Sequence, residues 1–171
     1  MSSTEASRES AHQRARPAAR RGAQLWASTC ARLVLGAVWL WAALAKILDP
    51  EQSVIAVRAY RLLPEALVKP VAWGLPFLEL AIAVLLLLGI RTRLAAWLSL
   101  GLLAVFVGSV ASAWARGLSI SCGCFGGGGV AAGIDWTSYA TEIARDVGLM
   151  ALSAWLAWRP RSRLAVEEGR R

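Results

Sequence analysis

Residues 80–103 read LAIAVLLLLGIRTRLAAWLSLGLL, which is two apolar runs that meet at the short turn Arg91-Thr92-Arg93. A run of about 20 apolar residues is long enough to cross a hydrocarbon core of about 30 Å as a helix. Within lipid, a helix satisfies all of its own backbone hydrogen bonds. We therefore predict that this stretch forms two membrane-spanning helices joined by a tight turn.

The rest of the chain has the same character. Hydrophobic residues make up 57% of the 171, and mean hydropathy is +0.50. Apolar runs predict four spans, at about 29–48, 70–90, 94–115 and 136–158. The predicted fold class is an all-α integral membrane protein, a four-transmembrane-helix bundle formed by residues 25–160. The net charge of +8 comes from basic residues that flank these runs, with no basic face interleaved with aromatics, so nucleic-acid binding is not expected.

The basic residues also predict orientation. Residues 1–24 form a basic tail that we expect to be disordered, and residues 161–171 form a second basic tail. One side of the four predicted spans has twelve basic residues (five in the N-terminal tail, two in the Arg91–Arg93 turn and five from Arg159 onward), against four on the other. The positive-inside rule then places both termini in the cytoplasm. The expected location is the inner membrane.

A short helix is predicted between the first two spans. In Asp49-Pro50-Glu51-Gln52, Asp49 can cap a helix, Pro50 suits its first position and Gln52 completes a capping-box pattern. The residues that follow alternate apolar and basic side chains as far as Pro64, which is typical of a helix lying at the membrane interface.

The loop between the third and fourth spans contains the sequence Ser121-Cys122-Gly123-Cys124-Phe125-Gly126, followed by three more glycines. The glycine between Cys122 and Cys124 tolerates the backbone of a small strained disulfide, and strained disulfides are easily reduced. The predicted orientation places the pair outside the cytoplasm, where disulfides persist. We predict a redox-active pair. A metal-ligand pair and a static disulfide are the alternatives, although no second Cys pair follows and His12 is far away in the tail.

Five ionisable residues inside the predicted spans form a second candidate cluster: Lys46, Glu79, Glu142, Arg145 and Asp146. A charge in lipid costs at least about 2.5 kcal/mol, so we expect these groups to face the bundle interior and neutralise one another. Glu79 is predicted to pair with Lys46 or Arg145. The cluster would form a polar pocket beneath the cysteines that lowers a thiol pKa, moves protons or holds a quinone head group. Alternatively, it is an ion-pair network that fixes helix register.

Five motifs in this order resemble those of one known family. They are Ala45-Lys46-Ile47-Leu48-Asp49-Pro50, Tyr60-Arg61-Leu62-Leu63-Pro64, Leu75-Pro76-Phe77-Leu78-Glu79-Leu80, Leu88-Gly89-Ile90-Arg91-Thr92-Arg93 and Cys122-Gly123-Cys124-Phe125-Gly126. Over about residues 30–158 the chain resembles the methylamine utilisation protein MauE family, a branch of the DoxX-like four-helix membrane proteins. Asp146 is a small departure, since Asn often follows the arginine there in the family.

The resemblance implies a function. MauE proteins are associated with maturation of methylamine dehydrogenase, whose small subunit needs many disulfides, and they act beside a thioredoxin-like partner. On this basis Cys122 and Cys124 would exchange disulfides with such a partner, while Lys46, Glu79 and Arg145 match family positions without a settled role. A non-catalytic assembly subunit remains an alternative, as does a quinone-linked redox subunit of the broader DoxX-like kind.

Cofactors and oligomeric state are less constrained by the sequence. It contains no signature for a flavin, haem or dinucleotide, so no tightly bound cofactor is expected, and a quinone stays a candidate. No metal site is expected. Membrane lipid is an expected partner, and homo- or hetero-oligomers are both compatible with the sequence.

Overall fold

The computed structural model describes residues 3–121, 128–130 and 136–159, without the side chains of residues 3–21, 23 and 130. In these residues the chain forms five helices and one two-stranded antiparallel sheet. The elements are α1 (Ser3–Leu48), α2 (Pro50–Ala59), α3 (Glu65–Leu88), α4 (Thr92–Ala115), β1 (Ile120–Ser121), β2 (Gly129–Val130) and α5 (Trp136–Trp158).

Three of the helices are long and apolar enough to cross a membrane: Gln24–Leu48 within α1, α3 and α4. They correspond to the first three predicted spans. Helix α3 begins at Glu65, five residues before the predicted start, because Pro64 adopts an extended conformation there and the helix continues through Pro70. Helix α5 has the predicted bounds but carries three ionisable residues in its N-terminal half, and it is not among these three spans. A fourth crossing therefore remains a prediction.

The N-terminal segment differs from the prediction. Residues 1–24 were expected to be disordered, whereas α1 extends back to Ser3 as one helix of 46 residues. The segment is rich in alanine and arginine, which favour helix. Because α1 already exists as an apolar helix, extending it avoids the cost of nucleating a new one. The predicted C-terminal tail, residues 161–171, lies outside the described residues.

The helices pack as two antiparallel pairs, α1 with α3 and α4 with α5. Close approach of the first pair requires Gly36, where an added Cβ would lie 2.8 Å from the Leu87 side chain. The core that joins the pairs is built mainly from small and aliphatic residues. It comprises Ala31, Leu35, Trp39, Ile82, Ala83, Leu86, Ala95, Ala96, Leu103, Leu156 and Ala157.

A polar chain crosses this apolar core. Trp39 Nε1 donates to Ser99 Oγ at 2.8 Å, and the Ser99 and Ser153 hydroxyls lie 2.9 Å apart. All three side chains are buried, and they come from α1, α4 and α5. Such hydrogen bonds between helices are a known means of association in membranes, so this chain ties the two helix pairs together.

The α3–α4 turn is closed by backbone geometry and by a buried cation. Gly89 ends α3 with φ +69, and Ile90 N donates to Leu85 O at 3.0 Å. Arg32, which is 1% exposed, donates from Nη1 to the carbonyls of Leu86 and Leu87 at 3.1 and 3.4 Å. A cation is stabilised at a helix C-terminus, because the last carbonyls carry partial negative charge.

Helix α2 begins as the sequence predicts. Asp49 is its N-cap and accepts a hydrogen bond from Gln52 N at 3.0 Å, with Pro50 in the first turn. The helix ends at Ala59, several residues before Pro64, because Arg61 takes a positive φ of 50° that breaks the helical path. The end of the bundle where α2 lies is called the α2 end below. It also includes the starts of α3 and α5 and the end of α4.

Candidate functional site

Lys46 and Glu79 form a buried ion pair inside the bundle. Lys46 Nζ lies 2.9 Å from Glu79 Oε1 and 3.0 Å from Oε2, and it also donates to Ala42 O at 3.4 Å. The two side chains are 9% and 0% exposed. Of the two partners predicted for Glu79, the structure selects Lys46. The pair joins α1 to α3. The attraction between the two opposite charges offsets part of the cost of removing each group from water.

Arg145 lies elsewhere, in α5. Its Nε and Nη2 each lie 2.9 Å from Asp146 Oδ1, and the Asp146 side chain is only 4% exposed. Glu142 is half-buried one turn earlier in the same helix. The five ionisable residues therefore divide into two groups, the Lys46–Glu79 pair between α1 and α3 and the group on α5.

An apolar cavity of about 280 Å³ lies beside the ion pair. It is enclosed by the end of α1, by α2 and its following loop, by the first half of α3 and by α4. Its lining comprises Lys46, Ser53, Ala56, Val57, Tyr60, Leu62, Leu63, Val71, Ala72, Leu75, Leu102, Val105, Phe106 and Ser109. The Lys46 ammonium lies 6.0 Å from the centre of the Phe106 ring. We call this space the α2 cavity.

The cysteine segment follows a short hairpin stem. Ile120 pairs with Val130 and Ser121 pairs with Gly129. Cys122 and Cys124 lie outside the described residues, so their geometry and their redox state stay predictions. Each end of the segment is nevertheless fixed in the structure, at Ser121 on one side and at Gly128 on the other.

Helix α2 contacts this hairpin stem through two side chains. Gln52 Nε2 donates to the carbonyl oxygen of Gly128. Gly129 has φ +119, and a Cβ there would lie 2.9 Å from Ile55 Cγ2. Only glycine meets both conditions without strain, because side chains rarely adopt this backbone angle and the space is already filled. The predicted capping-box role of the Gln52 side chain is thus replaced by a contact with the hairpin.

Two further side chains, those of Tyr139 and Arg116, form hydrogen bonds close to the hairpin stem. The Tyr139 hydroxyl, in the first turn of α5, accepts from Ile120 N at 3.1 Å and donates to the Leu118 carbonyl. Arg116, just after α4, donates to Tyr60 O at 2.6 Å and to Arg61 O at 3.4 Å. Together they link the ends of α2, α4 and α5. Neither Tyr139 nor Arg116 was predicted from the sequence to link these helix ends.

The candidate metal-ligand pair, Cys122 and Cys124, lies outside the described residues. Within residues 3–121, 128–130 and 136–159, no group of three His, Cys, Asp or Glu side chains is close enough to hold a metal ion.

The buried Arg32 was not among the site residues predicted from the sequence. A basic residue four positions into a predicted span was the available signal, since an intramembrane cation requires buried acceptors.

Comparison with known proteins agrees with the motif series. The family described as "Methylamine utilisation protein MauE" matches residues 24–159. The chain belongs to the MauE family. The match covers all three candidate spans, α2, the hairpin stem and α5.

Two curated relatives carry the name "Methylamine utilization protein MauE". The protein of Methylorubrum extorquens is 38% identical over 118 residues, which is 68% of this chain and 61% of that protein. The protein of Paracoccus denitrificans is 37% identical over 105 residues, 61% of this chain and 55% of that protein. The chain thus spans little more than half the length of these relatives. No solved structure matches it significantly.

Proposed function

We propose that this protein is a membrane component of a methylamine-utilisation type of maturation system, whose Cys122-Gly123-Cys124 exchanges disulfides with a thioredoxin-like protein outside the cytoplasm. The observation that carries the proposal is the Cys-Gly-Cys sequence placed between the two strands of an anchored hairpin stem. Membership of the MauE family supports the biological context. The proposed setting is the inner membrane, with α5 as the fourth span and both termini cytoplasmic.

The anchored stem suits a dithiol that must meet a protein partner. Gln52, Gly129 and Tyr139 fix the residues that flank the segment against α2 and α5, so both flanks lie at the α2 end of the bundle. The Arg91–Arg93 turn lies at the opposite end. By the positive-inside rule this basic turn faces the cytoplasm and the α2 end faces outward.

The proposed exchange balances within the two proteins. A thiolate of the partner attacks one sulfur of a Cys122–Cys124 disulfide and forms a mixed disulfide, releasing the other sulfur as a thiolate. The second partner thiolate then attacks the mixed disulfide. The partner gains a disulfide, and Cys122 and Cys124 gain two electrons and two protons. The reverse sequence of steps oxidises Cys122 and Cys124.

Trapping tests this exchange directly. The variants Cys122→Ser and Cys124→Ser each retain one thiol of the pair, and one of them should accumulate a mixed disulfide with a thioredoxin-like protein added to membranes. Cys30→Ser is the matched control, because Cys30 is a free cysteine near the start of the candidate span Gln24–Leu48, away from the α2 end. It should exchange like the wild type. Exchange that persists unchanged in both Cys122→Ser and Cys124→Ser would refute the proposal.

A non-catalytic assembly subunit is the second candidate. The contacts that fix the hairpin stem would also suit a rigid partner-binding surface with a static disulfide. This alternative predicts that the double serine variant still holds its partner, and that the pair stays oxidised whether or not a partner is present. Co-purification of partner with the double variant distinguishes the two.

A further inference from the structure

The α2 cavity opens between two candidate spans. Val71 of α3 and Val105 of α4 both line it, and they are 38% and 61% exposed. Val105 lies ten residues before the end of α4, or about 15 Å along the helix. That depth is about half of a hydrocarbon core about 30 Å thick. The mouth of the cavity therefore faces lipid, and a ligand would enter from the membrane.

Polar and aromatic residues also line the cavity. Lys46, Phe106 and Tyr60 are among them, whereas most of the lining residues are aliphatic. Ligand pockets commonly combine an apolar lining with a few polar groups that fix orientation. An acyl chain would leave these polar and aromatic groups unused. A flat ring that carries oxygen acceptors matches them, since rings stack on aromatic side chains and oxygens accept from an ammonium.

Lys46 can donate a hydrogen bond to such a ligand while it keeps its ion pair with Glu79. Its bonds to the two Glu79 oxygens are short, at 2.9 and 3.0 Å, but its contact with Ala42 O is 3.4 Å. A bond of that length is beyond the usual range of N–H···O distances. A ligand oxygen in the cavity would therefore replace the Ala42 contact, while the ion pair keeps the ammonium charged and in place.

We propose that the α2 cavity binds a membrane quinone, with its ring beside Phe106 and one ring oxygen accepting a hydrogen bond from Lys46. Binding follows from the cavity alone, whereas its redox role rests on the proposed function. In that role, oxidation of the Cys122 and Cys124 thiols to a disulfide releases two electrons and two protons. A quinone takes up both and becomes the quinol.

Helix α2 connects the cavity to the cysteine segment. Ser53 and Ala56 line the cavity, while Gln52 and Ile55 of the same helix hold the hairpin stem. Any change in the position of α2 on quinone binding would therefore reach the ends of the cysteine segment. This shared helix gives the two sites a direct physical connection.

Equilibrium binding of radiolabelled decylubiquinone to the full chain in phosphatidylcholine nanodiscs tests the site. Val105→Trp places a large ring at the mouth and should raise Kd at least about tenfold. Leu98→Trp is the matched control. Leu98 lies two turns away on the same face of α4, is also exposed, and does not line the cavity, so this variant should bind like the wild type. If Val105→Trp fails to fold, Val71→Trp makes the same test from α3.

The outcomes separate this inference from the proposed function. Saturable binding that is weakened by Val105→Trp and kept by Leu98→Trp supports the quinone site, whatever the cysteine variants do. Unchanged binding in Val105→Trp and Val71→Trp overturns it, as does equal loss in Leu98→Trp or binding that never saturates, which is simple partition into lipid. Disulfide exchange with a thioredoxin-like protein is scored separately, in the absence of added quinone.

Discussion

The buried Lys46–Glu79 pair makes a quantitative prediction about stability. Replacing Lys46 with Met leaves the Glu79 carboxylate, which is fully buried, without its cation. Breaking a buried pair from one side costs about 3–5 kcal/mol, and a single charge on a membrane helix costs about 2.5–3.5 kcal/mol. We therefore expect Lys46→Met to lower the free energy of unfolding by about 3 kcal/mol.

Removing both partners should behave differently. The double variant Lys46→Met with Glu79→Met leaves no buried charge, and methionine fits a space shaped for long side chains. Replacement of a whole buried ion pair by apolar residues is often neutral or stabilising. We expect the double variant to be within about 1 kcal/mol of the wild type, so the coupling between the two positions should exceed about 3 kcal/mol.

Unfolding in mixed detergent–SDS micelles, followed by far-ultraviolet circular dichroism, measures these differences. Arg58→Gln is the control, because the Arg58–Glu65 pair has side chains 48% and 67% exposed and should contribute little. If Lys46→Met and Glu79→Met are each as stable as Arg58→Gln, the predicted coupling between the two positions is wrong. The same holds if the double variant loses as much free energy of unfolding as the two single variants together.

Two more predictions concern hydrogen bonds. Tyr139→Phe removes the hydroxyl that bonds both Ile120 N and the Leu118 carbonyl, so hydrogen exchange at the Ile120 amide should accelerate while the helices keep their protection. Unchanged exchange there would contradict a clamping role. Ser99→Ala removes both bonds of the buried chain from Trp39 to Ser153 and should cost about 1.2 kcal/mol of stability, since such bonds in membranes average about 0.6 kcal/mol each. A loss much larger than that would mean that Ser99 has a further role.

Much of the helical framework was predictable, because a span needs a long apolar run and such a run is visible in any sequence. The Asp49 cap and Pro50 start of α2 were equally readable, since capping depends on neighbouring residues. The N-terminal tail was expected to be disordered, whereas the structure continues α1 through it. Its charge obscured the helix-favouring residues that continue α1.

The site was only partly predictable. The carboxylate Glu79 in an apolar span signalled a buried partner, and its spacing from Lys46 allowed the observed pair. The α2 cavity gives no local signal, because residues from α1, α2, α3 and α4 that are far apart in the sequence line it together. The hairpin stem was also missed, since strands of two residues are too short to show alternation.

The central claim is that Cys122 and Cys124 form an exchangeable redox pair. Differential thiol labelling of membranes equilibrated across a series of dithiol buffers measures its midpoint potential, with Cys30→Ser as the background to remove the remaining thiol. An exchangeable pair should show a reversible two-electron transition well above about −300 mV. A pair that stays oxidised far below that potential, or that is never found oxidised, would contradict it.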